Sequence, residues 1–238
     1  GLGSPATFLD LARPLQAIYA SSSEAQARGL SEVKLAERCS VCDGRGRLTL
    51  DMAFLPDVHE TCETCRGSGY TAEAWEVHLN GLALPEVFGQ TIDEVYRLFG
   101  DEPRLRRPLQ AARDVGLGYL VLRQPGYALS GGEAQRLKIA SELCRKSVAG
   151  SFYILDEPSI GQHLEDMLRL TGVLHRLVED GGSVLVVEHH TYLLATCDWL
   201  VELGPGGGPS GGSVIAAGAP ELVAAGSTPT APYLRGVL

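Results

Sequence analysis

Basic residues are in short supply, and lysine most of all. Lys and Arg together number 20 against 29 Asp and Glu, a formal net charge of −9 over 238 residues. The surface as a whole is therefore unsuited to nucleic acid, and only a local patch could serve it. The lysines are Lys34, Lys138 and Lys146, and none follows a glycine. A G-x-x-x-x-G-K-[ST] phosphate loop consequently cannot be drawn anywhere in the sequence. Any apolar run near eighteen residues is also missing, which removes a helical membrane span. So is the charged-then-apolar leader of a secreted protein. A cytoplasmic setting with reduced thiols is the resulting expectation. What remains is 45% hydrophobic, enough for one sizeable core. The first residue is Gly1, and without a phosphate loop the chain is expected to be the C-terminal portion of a longer protein.

The most informative string is LSGGEAQR, Leu129 to Arg136. Ser130 and Glu133 have the S-x-x-E spacing of a capping box, which starts a helix. The free amides at that start, with Gly131 and Gly132 contributing no side chains, make an anion site. Downstream, the apolar run Phe152 to Leu155 suits a buried parallel strand and leads directly into Asp156, Glu157 and Pro158. Both carboxylates then sit at the C-terminal end of a strand, where open α/β sheets bind ligands. A second run, Ser183 to Val187, reads as another buried strand and ends in Glu188 and His189.

Cys39-x-x-Cys42 and Cys62-x-x-Cys65 are separated by nineteen residues, the spacing of a zinc site with four thiolates. Each pair is followed by glycines, in CDGRG and CRGSG, which let the backbone turn its amides towards sulfur. Two disulfides are the competing explanation, disfavoured in a reducing compartment. Arg38, Arg45, Arg47 and Arg66 are outnumbered by Asp43, Asp51, Asp57, Glu60 and Glu63 across this segment, so it is not a basic patch. Cys144 and Cys197 stand alone and read as buried, inert thiols.

Around these motifs the sequence has a flexible-looking SSSEAQARG stretch, a short strand pattern at Trp75 to Leu79, a helix near Ile92 to Phe99 and a proline-bounded linker or helix junction, GDEPRLRRP. Ala134, Leu137, Ala140 and Leu143 lie on one face of the helix after Ser130. Leu164, Met167, Leu168, Thr171, Leu174 and Leu177 mark an amphipathic crossover helix between two parallel strands. GPGGGPSGGSVIAAG is hairpin-like. No internal repeat is evident. Two regions result, 1–89 with a lead-in and the cysteine insertion, and 90–238 with the remaining motifs.

LSGGEAQR resembles the signature motif of ABC-type ATPases, LDEP a Walker B element, and VEH the strand ending in the switch histidine. The resemblance implies an α/β fold, the C-terminal portion of an ABC-type P-loop NTPase domain with an inserted four-cysteine zinc module. It implies Asp156 for Mg2+, directly or through water, Glu157 as the base that polarises water, and His189 on the terminal phosphate. Ser130, Gly131, Gly132 and Glu133 would close on ATP held by the opposite ATPase domain. The full order is four cysteines with MAFLPDV between them, DVGLGY, the three motifs, CDWLVELGP and GAPELVA. It is similar to the C-terminal part of the UvrA family of excision-repair ATPases. That implies Zn2+ on Cys39, Cys42, Cys62 and Cys65, damaged DNA and the UvrB helicase as partners, and a homodimer when intact. The arginines between the cysteine pairs, Arg45 and Arg47, would then contact phosphates.

The sequence departs from the family pattern at Gly69 before Tyr70, at Gln162 before His163 and at His190 after His189. A diverged UvrA-like paralogue linked to drug resistance is one alternative. A zinc-binding interaction module is another, since CSVCDGRG and CETCRGSG also fit the C-x-x-C-x-G-x-G repeat of DnaJ chaperones.

Overall fold

The computed structural model describes residues 3–50, 58–144, 149–161, 163–206, 208 and 211–238. Most of MAFLPDV, Lys146, Gln162 and part of the glycine-rich segment lie outside the described residues. The chain divides into two compact units, Gly1–Cys144 and Arg145–Leu238.

In the first unit, α1 (Ala12–Ala20) buries Leu15 and Tyr19. SSSEAQARG, expected to be flexible, is instead α2 (Ser23–Arg28). Ser22 Oγ accepts from the Ala25 amide at 3.1 Å, and Gly29 ends the helix at φ +67°. An N-cap serine and a left-handed glycine at the other end are sufficient stop and start signals for so short a helix. The cysteine segment carries an antiparallel pair, β1 (Arg47–Leu50) and β2 (Val58–Thr61). The Trp75 to Leu79 strand pattern shrinks to β3 (His78–Leu79), paired with β4 (Leu82–Ala83), because Ala72–Trp75 forms a 3-10 turn.

The helix expected at Ile92 to Phe99 is present as α3 (Ile92–Phe99), closed by a Thr91/Glu94 capping box. GDEPRLRRP is a helix junction, and most of it is itself helical. Pro103 opens α4 (Pro103–Asp114), where its missing N–H costs nothing. Pro108 does lie inside that helix, but Leu105, Leu109 and Ala112 are all fully buried at i, i+4 and i+7. Burial of that stripe outweighs the proline. The helix that starts after Ser130 is α5 (Gly131–Leu143), packed against α4. Its buried face is Arg136, Leu137, Ile139 and Ala140, with Ala134 and Leu143 only half-buried. Segments on both sides of residue 89 thus share one core, since α1 packs on α4 and Pro5–Phe8 packs on α5. Packing therefore draws its line later than the motif boundary at 89/90.

In the second unit, β5 (Phe152–Asp156) pairs in parallel with β6 (Ser183–Val187), from Phe152 opposite Ser183 to Asp156 opposite Val187. The crossover helix is α6 (Leu164–Glu179). Its buried residues are Met167, Leu170, Val173, Leu174 and Leu177, while Leu164 and Leu168 face outward. A step from 167 to 168 turns 100° around the helix, which carries Leu168 off the stripe. The buried strands expected at β5 and β6 are not fully buried: Leu185 and Val187 of β6 are exposed, and β5 is buried on one face only. Leu155 is 8% exposed, whereas Phe152 and Ile154 are 63% and 66% exposed. After α7 (Thr191–Leu194), the hairpin-like segment is an antiparallel pair, β7 (Leu200–Gly204) and β8 (Ser213–Gly218). Leu200 joins Val223 of α8 (Pro220–Ala224) and Leu234 of α9 (Ala231–Leu234) in a small core. Among the described residues, no helix is long and apolar enough to cross a membrane.

Candidate functional site

The four cysteines converge. Their sulfurs all lie within 4.8 Å of one another, every one buried, and Cys42 Sγ and Cys65 Sγ are 3.7 Å apart. A regular tetrahedron with Zn–S near 2.3 Å places its sulfurs about 3.8 Å apart. The four are free thiols, not disulfides. The two knuckles repeat the same bonding. The Gly44 and Gly67 amides donate to the Cys39 and Cys62 carbonyls, and the Gly46 and Gly69 amides donate to Cys42 and Cys65 sulfur at 3.2 and 3.3 Å. This short repeat amends the reading of a chain without one. Donation from the Cys65 amide pulls the Cys62 thiol down to about 7, while burial pushes Cys65 up to about 11. Deprotonated together, four thiols this close would need a cation among them, so the donor set fits a zinc ion.

Gly69, a departure from the family pattern, is required by this geometry. Its φ is +78°, and a Cβ there would stand 2.3 Å from the Gly44 carbonyl oxygen. Tyr70 beside it stacks on Phe88 at 5.6 Å and lies under Arg38 at 4.6 Å. Two more arginines of the segment also sit over rings, Arg66 over Trp75 at 5.8 Å and Arg47 over Tyr127 at 4.8 Å. Arg47 additionally donates to the Tyr127 hydroxyl.

The capping box at the start of α5 forms as expected. Ser130 Oγ accepts from the Glu133 amide at 3.2 Å, and Glu133 Oε2 accepts from the Ser130 amide at 2.7 Å. Among the described residues nothing lies within 4 Å of a Cβ placed on Gly131, so no packing among them demands glycine there. Tyr119, the last residue of DVGLGY, donates its hydroxyl to Glu133 Oε1 at 2.6 Å. Burial works to raise the Glu133 pKa, but the bonds from Tyr119 and Ser130 and the charge of Arg136 win and lower it.

In the second unit, the carboxylates and the histidine meet at the C-terminal ends of β5 and β6. His189 Nδ1 is 3.7 Å from Glu157 Oε1 and 3.6 Å from Glu188 Oε1. Glu157 is held in the left-handed region at φ +44°, its amide donating to the Val187 carbonyl at 2.8 Å. Asp156, the last residue of β5, is exposed. Glu188 has a fully buried side chain that accepts from the amides of Ser159, His189 and His190. Sequence reading passed it over, since a glutamate after a strand carries no signal of what it will bond. His190 is the N-cap of α7, but its side chain makes no cap bond. Cys144 and Cys197, expected to be buried, are only half-buried, and burial raises both thiols.

No protein-family model matches the chain. UvrABC system protein A of Streptococcus pneumoniae is 43% identical over 241 residues, covering 99% of this chain and 26% of that protein. The same protein from Thermus thermophilus is 42% identical over 239 residues, covering 98% of this chain and 25% of its own length. The crystal structure of UvrA2 from Deinococcus radiodurans superposes with a TM-score of 0.88 at 40% identity, over 99% of this chain and 30% of that one. The chain belongs to the UvrA family. It spans about a quarter of the length of the relatives it matches, and shares their mixed α/β fold. The likeness covers the cysteine segment and the motifs after Leu129 together, which does not favour an isolated DnaJ-like module.

Proposed function

We propose that the chain is the C-terminal part of a UvrA-type ABC ATPase, with a lead-in and zinc-binding insertion over 1–89 and the ATPase remainder over 90–238. The intact protein couples ATP binding and hydrolysis to recognition of damaged duplex DNA in nucleotide excision repair. The observation that carries this is the meeting of Glu157 and His189, 3.7 Å apart at the ends of adjacent parallel strands.

In this reading Glu157 takes the proton of the attacking water, and His189 contacts the terminal phosphate. Asp156 would hold Mg2+, which supplies charge neutralisation at the phosphates. The amides behind Ser130, Gly131 and Gly132, with Glu133 fixing the turn, receive ATP held by the opposite ATPase domain. Zn2+ on Cys39, Cys42, Cys62 and Cys65 is structural. The exposed apolar face of Phe152 and Ile154 supports a further segment of the ATPase domain packing on that face. The partners are the second ATPase domain, a second copy of the intact protein and the UvrB helicase, in the cytoplasm. Having no phosphate loop, these residues alone do not turn over ATP.

The test is single-turnover hydrolysis at this site in the intact protein. Glu157→Gln should retain ATP and lose hydrolysis by about 100-fold or more. Hydrolysis at the unaltered rate refutes the reading.

A further inference from the structure

Glu188 is a buried carboxylate that the chemistry above leaves without a role. Its side chain has 0% exposure, and among the described residues His189 is the one group able to carry positive charge within ion-pair distance. A buried carboxylate must be compensated by donors. Oε2 accepts from the Ser159 amide at 3.2 Å. Oε1 accepts from the His189 amide at 2.8 Å and the His190 amide at 3.1 Å. The Ser159 hydroxyl adds a further bond. The two oxygens thus serve two loops, one following β5 and the other following β6.

The loop after β5 is the one that needs holding. Glu157 has left-handed backbone at φ +44°, which a residue with a Cβ keeps only when its surroundings over-determine it. Its amide is fixed by Val187, and its carbonyl accepts from the Ile160 amide at 3.2 Å. Ser159 is inside that turn and is itself buried. Glu188 is the side chain that binds the interior of the turn to the backbone bearing His189.

We propose that Glu188 is the positioning residue of the hydrolytic pair, fixing Glu157 against His189 by bonding Ser159 on one side and the His189 and His190 amides on the other. The proposal rests on the ATPase reading above. Glutamine has nearly the same shape but can offer only one oxygen. Its amide nitrogen would face an N–H donor on one of the two loops. A misplacement of the base near 1 Å costs up to about 100-fold in rate without removing any contact to the nucleotide.

The experiment uses the intact protein, with ATP affinity and single-turnover hydrolysis read at this site for Glu188→Gln, Glu157→Gln and the double variant. Glu188→Gln should slow hydrolysis by about 10- to 100-fold. ATP affinity should stay within about twofold, and the double variant should be no slower than Glu157→Gln alone. A merely structural glutamate would weaken ATP binding as well, or add its loss to that of Glu157→Gln. If Glu188→Gln fails to fold, Ser159→Ala removes one donor only and should slow hydrolysis with ATP affinity kept. Unchanged hydrolysis in whichever of these variants folds, or a multiplicative loss in the double variant, overturns the positioning role. Should Glu157→Gln itself hydrolyse ATP normally, the ATPase reading falls and the positioning role with it.

Discussion

Arg47 lies over the ring of Tyr127, 4.8 Å from its centroid, and donates to its hydroxyl. Arg47 opens the first strand of the cysteine segment, and Tyr127 precedes Ser130 by three residues. The arginine is thereby committed to holding the approach to the signature helix. Arg45 differs, since its partner is Asp43 at 3.1 Å with both side chains well exposed. Such surface pairs contribute little and exchange readily for a phosphate.

The two arginines should therefore behave differently, where sequence reading treated them alike. In the intact protein, Arg45→Ala should shallow the log-log salt dependence of DNA binding by ~0.9, one phosphate contact. Arg47→Ala should leave that slope unchanged. Equal reductions in slope for both would show that Arg47 leaves Tyr127 to meet DNA.

Asparagine in place of His190 should stabilise the chain. His190 caps α7 with its backbone only, and its buried Nδ1 has no partner among the described residues. Asparagine is a preferred N-cap, and a made cap contributes about 1 kcal/mol. Urea midpoints of the two chains measure this, and a lower midpoint for His190→Asn contradicts it.

Acid should weaken the second unit through Glu188. Burial works to raise its pKa, but the bonds from Ser159, His189 and His190 lower it below the ordinary 4.5. A group depressed on folding stabilises fully above its unfolded value, and that stabilisation disappears as pH falls through the folded one. The stability gap between wild type and Glu188→Gln, from urea unfolding, should accordingly be constant at neutral pH and narrow below about pH 4.5. A gap independent of pH down to acid denaturation contradicts it.

The four-cysteine cluster should bind one zinc per chain. Apparent binding energy in small modules is ~10 to 16 kcal/mol, so stripping the metal should unfold the knuckles while leaving the β5–β6 unit ordered. Elemental analysis and amide exchange read the two parts. A zinc content near zero in reductively purified protein removes the assignment.

Much of this site was legible because its parts are local. A capping box needs only four consecutive residues, Ser130 to Glu133, and a cysteine knuckle only Cys-x-x-Cys with its glycines, so spacing alone announces them. The parallel pairing of β5 with β6 followed from two apolar runs separated by a helical stripe. Contacts between distant segments were not legible. Tyr119 on Glu133, Arg47 on Tyr127 and Glu188 on Ser159 each join residues that no local pattern associates. The helix over Pro103–Asp114 was hidden for a related reason, since its two prolines suggest a break that tertiary burial of Leu105 and Leu109 overrides. The inward stripe of α6 was misjudged at Leu164 and Leu168 because leucine recurs on both faces.

Damage recognition is the central claim, and equilibrium binding of the intact protein to matched duplexes, one lesion-bearing and one plain, tests it most directly. Discrimination of this kind reads DNA deformability, so the lesion should be favoured by at least about tenfold, or ~1.4 kcal/mol, at fixed salt and ATP. Equal affinity for the two duplexes across a salt series would contradict the account and leave only the ATPase chemistry.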